Sequence, residues 1–233
     1  MTHRPAGRAG AGAAVPAVDT CCADCAPTTA VTPDKRWLRN ARYARWLAWA
    51  SLAWMTAEGI IGLIAGFAAG SIALVGWALG SGIEGLASVI VVWRFTGPRM
   101  LSETAERRAQ KAVAVSFWLL APYIAIEAIR DLTTHHPATA TPLGIALTAS
   151  SLVIMPVLGI AKRRLGERLG SGATAGEGTQ NLMCAAQAAA VLLALGVVAV
   201  WPSGWPIDPI IAFGIAGWSI WEGNRSWRGA DCC

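Results

Sequence analysis

Residues 71–95, SIALVGWALGSGIEGLASVIVVWRF, constrain the fold of this chain more than any other stretch. Helical residues rise about 1.5 Å each, so roughly 20 apolar residues cross the hydrocarbon core of a bilayer. This run is long enough and apolar enough to do so, yet one carboxylate, Glu84, stands near its middle. An acid at that depth is expensive unless it faces a protein interior, a water cavity or a cation. Gly76, Gly80, Ser81, Gly82, Gly85, Ala87 and Ser88 surround it, small residues that predict close approach by another helix. A protonated Glu84 hydrogen-bonded inside a bundle would also satisfy the sequence. The expense of keeping an acid there favours a functional role.

The rest of the chain agrees with a bilayer as its solvent. Of 233 residues, 55% are hydrophobic and 14% charged, against about 25% charged in soluble domains. The net charge of +5 is not a nucleic-acid footprint, because the Lys and Arg residues cluster between apolar spans. That is an orientation pattern. No signal peptide is visible, since residues 1–30 lack a long apolar core. The expected fold is an all-α membrane protein, a bundle of six transmembrane helices.

Residues 1–45 are expected as a cytoplasmic N-terminal tail, disordered over 1–34 with Cys21, Cys22 and Cys25, and basic over 35–45 with Lys35, Arg36, Arg39, Arg42 and Arg45. The membrane domain is expected over 46–223 and a short tail with Cys232 and Cys233 over 224–233. Three thiols near Asp24 can chelate a soft cation or stay unengaged. The spans fall at 46–69, with Glu58 near its middle, 71–95, 112–129, 143–161, 177–200 and 207–221. Pro122 is expected to break the third and Pro156 to kink the fourth. Residues 96–111 are expected as a polar loop, 170–178 as a Gly-rich turn and 201–205 as an interfacial turn. His135 and His136 lie between spans three and four. The segments before span one, after two, after four and after six are basic, which predicts both termini in the cytoplasm and hence free thiols rather than disulfides.

In the fifth span, Glu177, Gln180, Cys184 and Gln187 are spaced three, four and three, which puts them on one helical face. Carboxylate, thiolate and amide carbonyl are all metal donors. Singly, Cys184 reads as a packing residue, and Gln180 and Gln187 as interhelical hydrogen-bond partners. The whole stripe together with Glu84 favours a metal. No histidine stands in any span, and neutral imidazole is the commonest metal ligand.

The second and fifth spans and the Ile207-Asp208-Pro209 start of the sixth resemble the membrane domain of cation diffusion facilitators, and more closely the short bacterial cation-transporter branch of that family. AAGSIALVGWALGSGIEGLASVIVVWRF, GTQNLMC and EGNRSWRGADCC carry the resemblance, which runs from Trp46 to the C-terminus. The family's second span holds an acid–xxx–acid pair. Its fifth holds His or Asp, with Asp four residues later, and together the four bind a divalent ion, typically zinc. By position they fall on Gly80, Glu84, Gln180 and Cys184. The short branch also has Gln and Cys in the fifth span, preceded by an acid where Glu177 stands. It usually has an aspartate where this chain has Gly80, so one expected ligand is absent. Longer relatives continue into a cytoplasmic metal-binding domain, whereas this sequence stops at Cys233.

The resemblance implies a multi-pass plasma-membrane homodimer. It would export a divalent ion such as zinc, cadmium or cobalt against protons, with Glu84, Gln180, Cys184 and Glu177 as metal ligands and no organic cofactor or nucleic acid. The alternative is a non-transporting metal sensor or assembly subunit with a degenerate site. An intramembrane enzyme is disfavoured, because no nucleophile–base pair stands in the spans.

Overall fold

A computed structural model describes residues 34–69, 72–134, 142–204 and 206–231. The tail cysteines Cys21, Cys22, Cys25, Cys232 and Cys233, and His135 and His136, lie outside the described residues. Six helices follow one another: α1 (Lys35–Ala69), α2 (Ile72–Arg94), α3 (Glu103–Thr134), α4 (Pro142–Leu169), α5 (Gly172–Val200) and α6 (Ile207–Asp231). Short 3-10 turns at Gly97–Leu101 and Pro202–Gly204 join two of the pairs. The expected six-helix all-α bundle is the fold.

Several expected boundaries move, and the helix caps explain why. Residues 35–45, expected as a basic approach outside the first span, are helical and continuous with it. Asp34 Oδ1 accepts from the Trp37 amide at 2.6 Å and caps α1. Ala41, Ala44 and Ala48 then bury a stripe against the core. The polar loop expected over 96–111 is helical from Glu103, where Ser102 Oγ accepts from the Ala105 amide at 3.2 Å. The Gly-rich turn expected over 170–178 shrinks to two residues. Gly170 takes φ +63°, the left-handed geometry that ends α4, with Ser171 N donating to Gly166 O at 2.9 Å. Ser171 Oγ then accepts from Thr174 N at 3.2 Å and starts α5. The expected tail after 223 is helical to Asp231, held where Trp227 packs on Trp118 with ring centroids 5.2 Å apart. α3 runs on through Pro122 without a break.

Helices α1, α3, α4 and α5 are each apolar and long enough to cross a membrane, and α2 and α6 at 23 and 25 residues have the length. The outer faces carry large apolar side chains such as Trp46, Ile64, Phe67, Leu86, Val153 and Ile210, while serines, acids and amides are buried within. Such a molecule is built for lipid outside and polar chemistry inside. The main pairings are α1 with α2, α4 with α5, and α3 with α6, and α5 also touches α2, α3 and α6. The backbones of α4 and α5 approach closely: a Cβ on Gly178 would stand 2.7 Å from Gly159 O, and one on Gly166 would stand 2.6 Å from Ala175 N.

Contacts tie the starts of α1, α3 and α5 and the ends of α2, α4 and α6 into one end of the bundle. Trp37 Nε1 donates to Leu169 O at 3.4 Å, Arg45 to Phe95 O at 3.5 Å, and Gln110 Nε2 to Ser226 O at 3.0 Å. Glu106 pairs with Arg94 at 2.6 Å and accepts from Ser171 Oγ at 2.9 Å and Ala173 N at 3.1 Å. Nearly all the basic residues of the described helices belong to this basic end.

Candidate metal centre

Glu84 lies on α2, buried, in the middle of the bundle. Gln187 Nε2 of α5 donates to its Oε1 at 3.0 Å. Its Oε2 is buried with no hydrogen-bond partner among the described residues. Cys184, less than one helical turn before Gln187, is buried with a free thiol facing the same carboxyl. Glu84 and Cys184, expected together from sequence, are therefore brought together, and Gln187 of the same stripe joins them.

Glu177 and Gln180 turn elsewhere. Gln180 Oε1 accepts from Ser116 Oγ of α3 at 3.2 Å. Glu177 meets the Lys162 ammonium of α4, Nζ to Oε1 2.5 Å, with both side chains essentially inaccessible to solvent. Lys162 Nζ also donates to Ser51 Oγ of α1 at 2.5 Å and reaches Asn181 Oδ1 at 3.5 Å. Asn181 Nδ2 donates back to Ser51 Oγ at 3.1 Å. In sequence Lys162 opens the basic segment that follows span four, beside Arg163 and Arg164, but it is fully buried. Its signal was available: Lys162 shares a helical face with Met155, Gly159 and Gly166, the face that packs on α5.

Glu58 was noted in span one and left out of the expected ligand set. It is 1% exposed, its Oε1 accepts from Ser151 Oγ at 2.6 Å, and it is close enough to Glu84 and Cys184 to interact with both electrostatically. Gly59, beside it, faces Ala78 O of α2 at 3.6 Å from its would-be Cβ. Met55, one turn back, packs with Cys184.

At Gly80, one turn before Glu84, the absent side chain has a neighbour. A Cβ there would stand 3.1 Å from Tyr123 Cε1 and 3.7 Å from its hydroxyl oxygen. Among the described residues, no three His, Cys, Asp or Glu side chains converge to hold an ion. An ion at Glu84 and Cys184 would complete its shell with amide oxygens or water.

The model of the cation efflux transmembrane domain matches residues 103–226, just over half the chain. The chain belongs to the cation efflux family. The match spans α3, α4, α5 and most of α6, so Gln180 and Cys184 lie inside it, while Glu84 on α2 precedes it. The molecule is a multi-pass membrane protein of a cation-transporting family.

Proposed function

We propose that this protein carries a divalent metal ion across the membrane, binding it between Glu84 and Cys184. The observation that carries the proposal is the open Oε2 of Glu84, buried beside a free thiol inside a bundle with an apolar exterior. A carboxylate and a thiolate together balance the charge of one divalent ion, which lowers the cost of holding it in a low dielectric. The ion takes both groups deprotonated, so loading releases protons and protonation releases the ion. That couples efflux to proton entry. A sulfur donor favours zinc, cadmium or cobalt over magnesium. The basic end faces the cytoplasm of the plasma membrane by the loop charges, and the working unit is a homodimer, as the family resemblance implies.

A non-transporting sensor draws support from one feature: the Tyr123 ring stands where an acid at position 80 would point. Purified protein in vesicles, assayed with zinc, cadmium, cobalt and magnesium, separates the two readings. Transport requires zinc, cadmium or cobalt to accumulate along an imposed gradient with opposite proton movement. No flux from folded protein that binds the same ions would leave the sensor.

A further inference from the structure

Burying an ion pair such as Lys162–Glu177 costs the desolvation of both charges, and well-packed apolar residues often serve stability as well or better. A role beyond stability is therefore worth seeking for it. The ammonium sits in a built cradle: Ser51 Oγ and Glu177 Oε1 at 2.5 Å, and Asn181 Oδ1 at 3.5 Å. These are a hydroxyl, a carboxylate and an amide carbonyl, contributed by α1 and α5. Oxygen donors of this kind also hold metal cations that prefer oxygen. Glu177 Oε2 is buried and outside the hydrogen bond to Lys162, with the Ser88 side chain of α2 facing the same carboxylate, so an oxygen remains for an ion. The cradle is also on the way. Glu177 lies two turns, about 10 Å, from Cys184 along α5, and it lies toward the basic end, where Glu106 holds the start of that helix.

We infer that Ser51, Glu177 and Asn181 form a second cation site on the basic-end side of Glu84 and Cys184. The Lys162 ammonium fills it as a tethered cation and gives way to an ion passing to or from the deeper site. Lys162 is then a charge gate: it neutralises Glu177 when no ion is there, and its flexible four-carbon stem lets it withdraw. The passing role rests on the transport function proposed above, while the existence of the site does not. A purely structural brace of the same geometry would bind no ion once the lysine is gone.

The test uses the full chain in detergent with Mn2+ as the probe, counted by electron paramagnetic resonance. Mn2+ favours oxygen ligands and leaves the tail thiols aside. All variants carry Glu84→Gln, so the deeper site is silent and its failure is scored separately in the single Glu84→Gln variant. Lys162→Met in this background should gain one Mn2+ per chain, and adding Glu177→Gln should remove it. If Lys162→Met destabilises the fold, Mn2+ should raise its melting temperature, and adding Glu177→Gln should abolish the rise. No gain of Mn2+ and no Mn2+-dependent stabilisation in Lys162→Met would overturn the second site, as would a gain that survives Glu177→Gln.

Discussion

The Lys162–Glu177 pair makes a quantitative prediction about folding. Both side chains are sealed from solvent, at 0% and 1% exposure, and the charges are 2.5 Å apart. Removing one partner leaves the other buried and uncompensated, a loss of about 3–5 kcal/mol. Glu177→Leu should show this loss most fully, because the ammonium keeps only Ser51 and Asn181 as partners. Lys162→Met should lose less, because an unpaired carboxyl can take a proton. The double change Lys162→Met/Glu177→Leu removes both charges at similar volume and should lie within about 1 kcal/mol of the wild type, or above it. The two losses are therefore strongly non-additive. Unfolding in detergent with a chelator, followed by circular dichroism, measures all four proteins. If both single variants fall within about 0.5 kcal/mol of wild type, the size of a surface change, the pair is not the buried brace described here.

Gly80→Asp alone should lose about 1–3 kcal/mol by crowding Tyr123, without gaining metal affinity. Gly80→Asp/Tyr123→Leu should bind zinc more tightly than wild type by calorimetry, and unchanged binding would show that position 80 is not a vacated ligand site. Glu106→Gln breaks the ion pair with Arg94 and weakens the start of α5, which should cost about 2 kcal/mol in thermal melts while vesicle flux persists. Cys25 and Cys233 should resist an impermeant thiol reagent in intact cells and react once the membrane is opened. Labelling from outside would reverse the proposed orientation.

The sequence showed most of the architecture, because six apolar runs with basic segments at alternate ends leave few other folds for a chain in lipid. It showed the ends of the helices less well. Asp34 and Ser102 cap α1 and α3 from within segments that looked merely polar, and Trp227 carries α6 past its last apolar run. The meeting of Glu84 and Cys184 was legible because an acid and a thiol at membrane depth stand out. Glu177 was expected as a metal ligand, but the cation beside it in the structure is Lys162 of this same chain. Lys162 was hidden in the run Lys162-Arg163-Arg164, since charge counting treats neighbours alike while a helix turns them about 100° apart. Glu58 was visible but had nothing in sequence to tie it to Glu84; only the pairing of α1 with α2 does that. Around Glu84, Gly80 and Gly85 meet Tyr123, Leu52 and Met55 at 3.1–3.8 Å from their would-be Cβ atoms while Gly82 has nothing within 4 Å, and tighter backbone approaches occur between α4 and α5.

The central claim is that one ion sits between Glu84 and Cys184, and cobalt spectroscopy tests it most directly. Five of the six cysteines are in the tails, so replacing Cys21, Cys22, Cys25, Cys232 and Cys233 with Ser leaves Cys184 as the remaining thiol. Co2+ added to this protein should produce a thiolate-to-cobalt charge-transfer band in the near ultraviolet. Cys184→Ala should abolish the band, and Glu84→Gln should weaken the affinity at least tenfold. A protein that moves Co2+ across vesicles yet shows no band, or keeps the band without Cys184, would contradict the account.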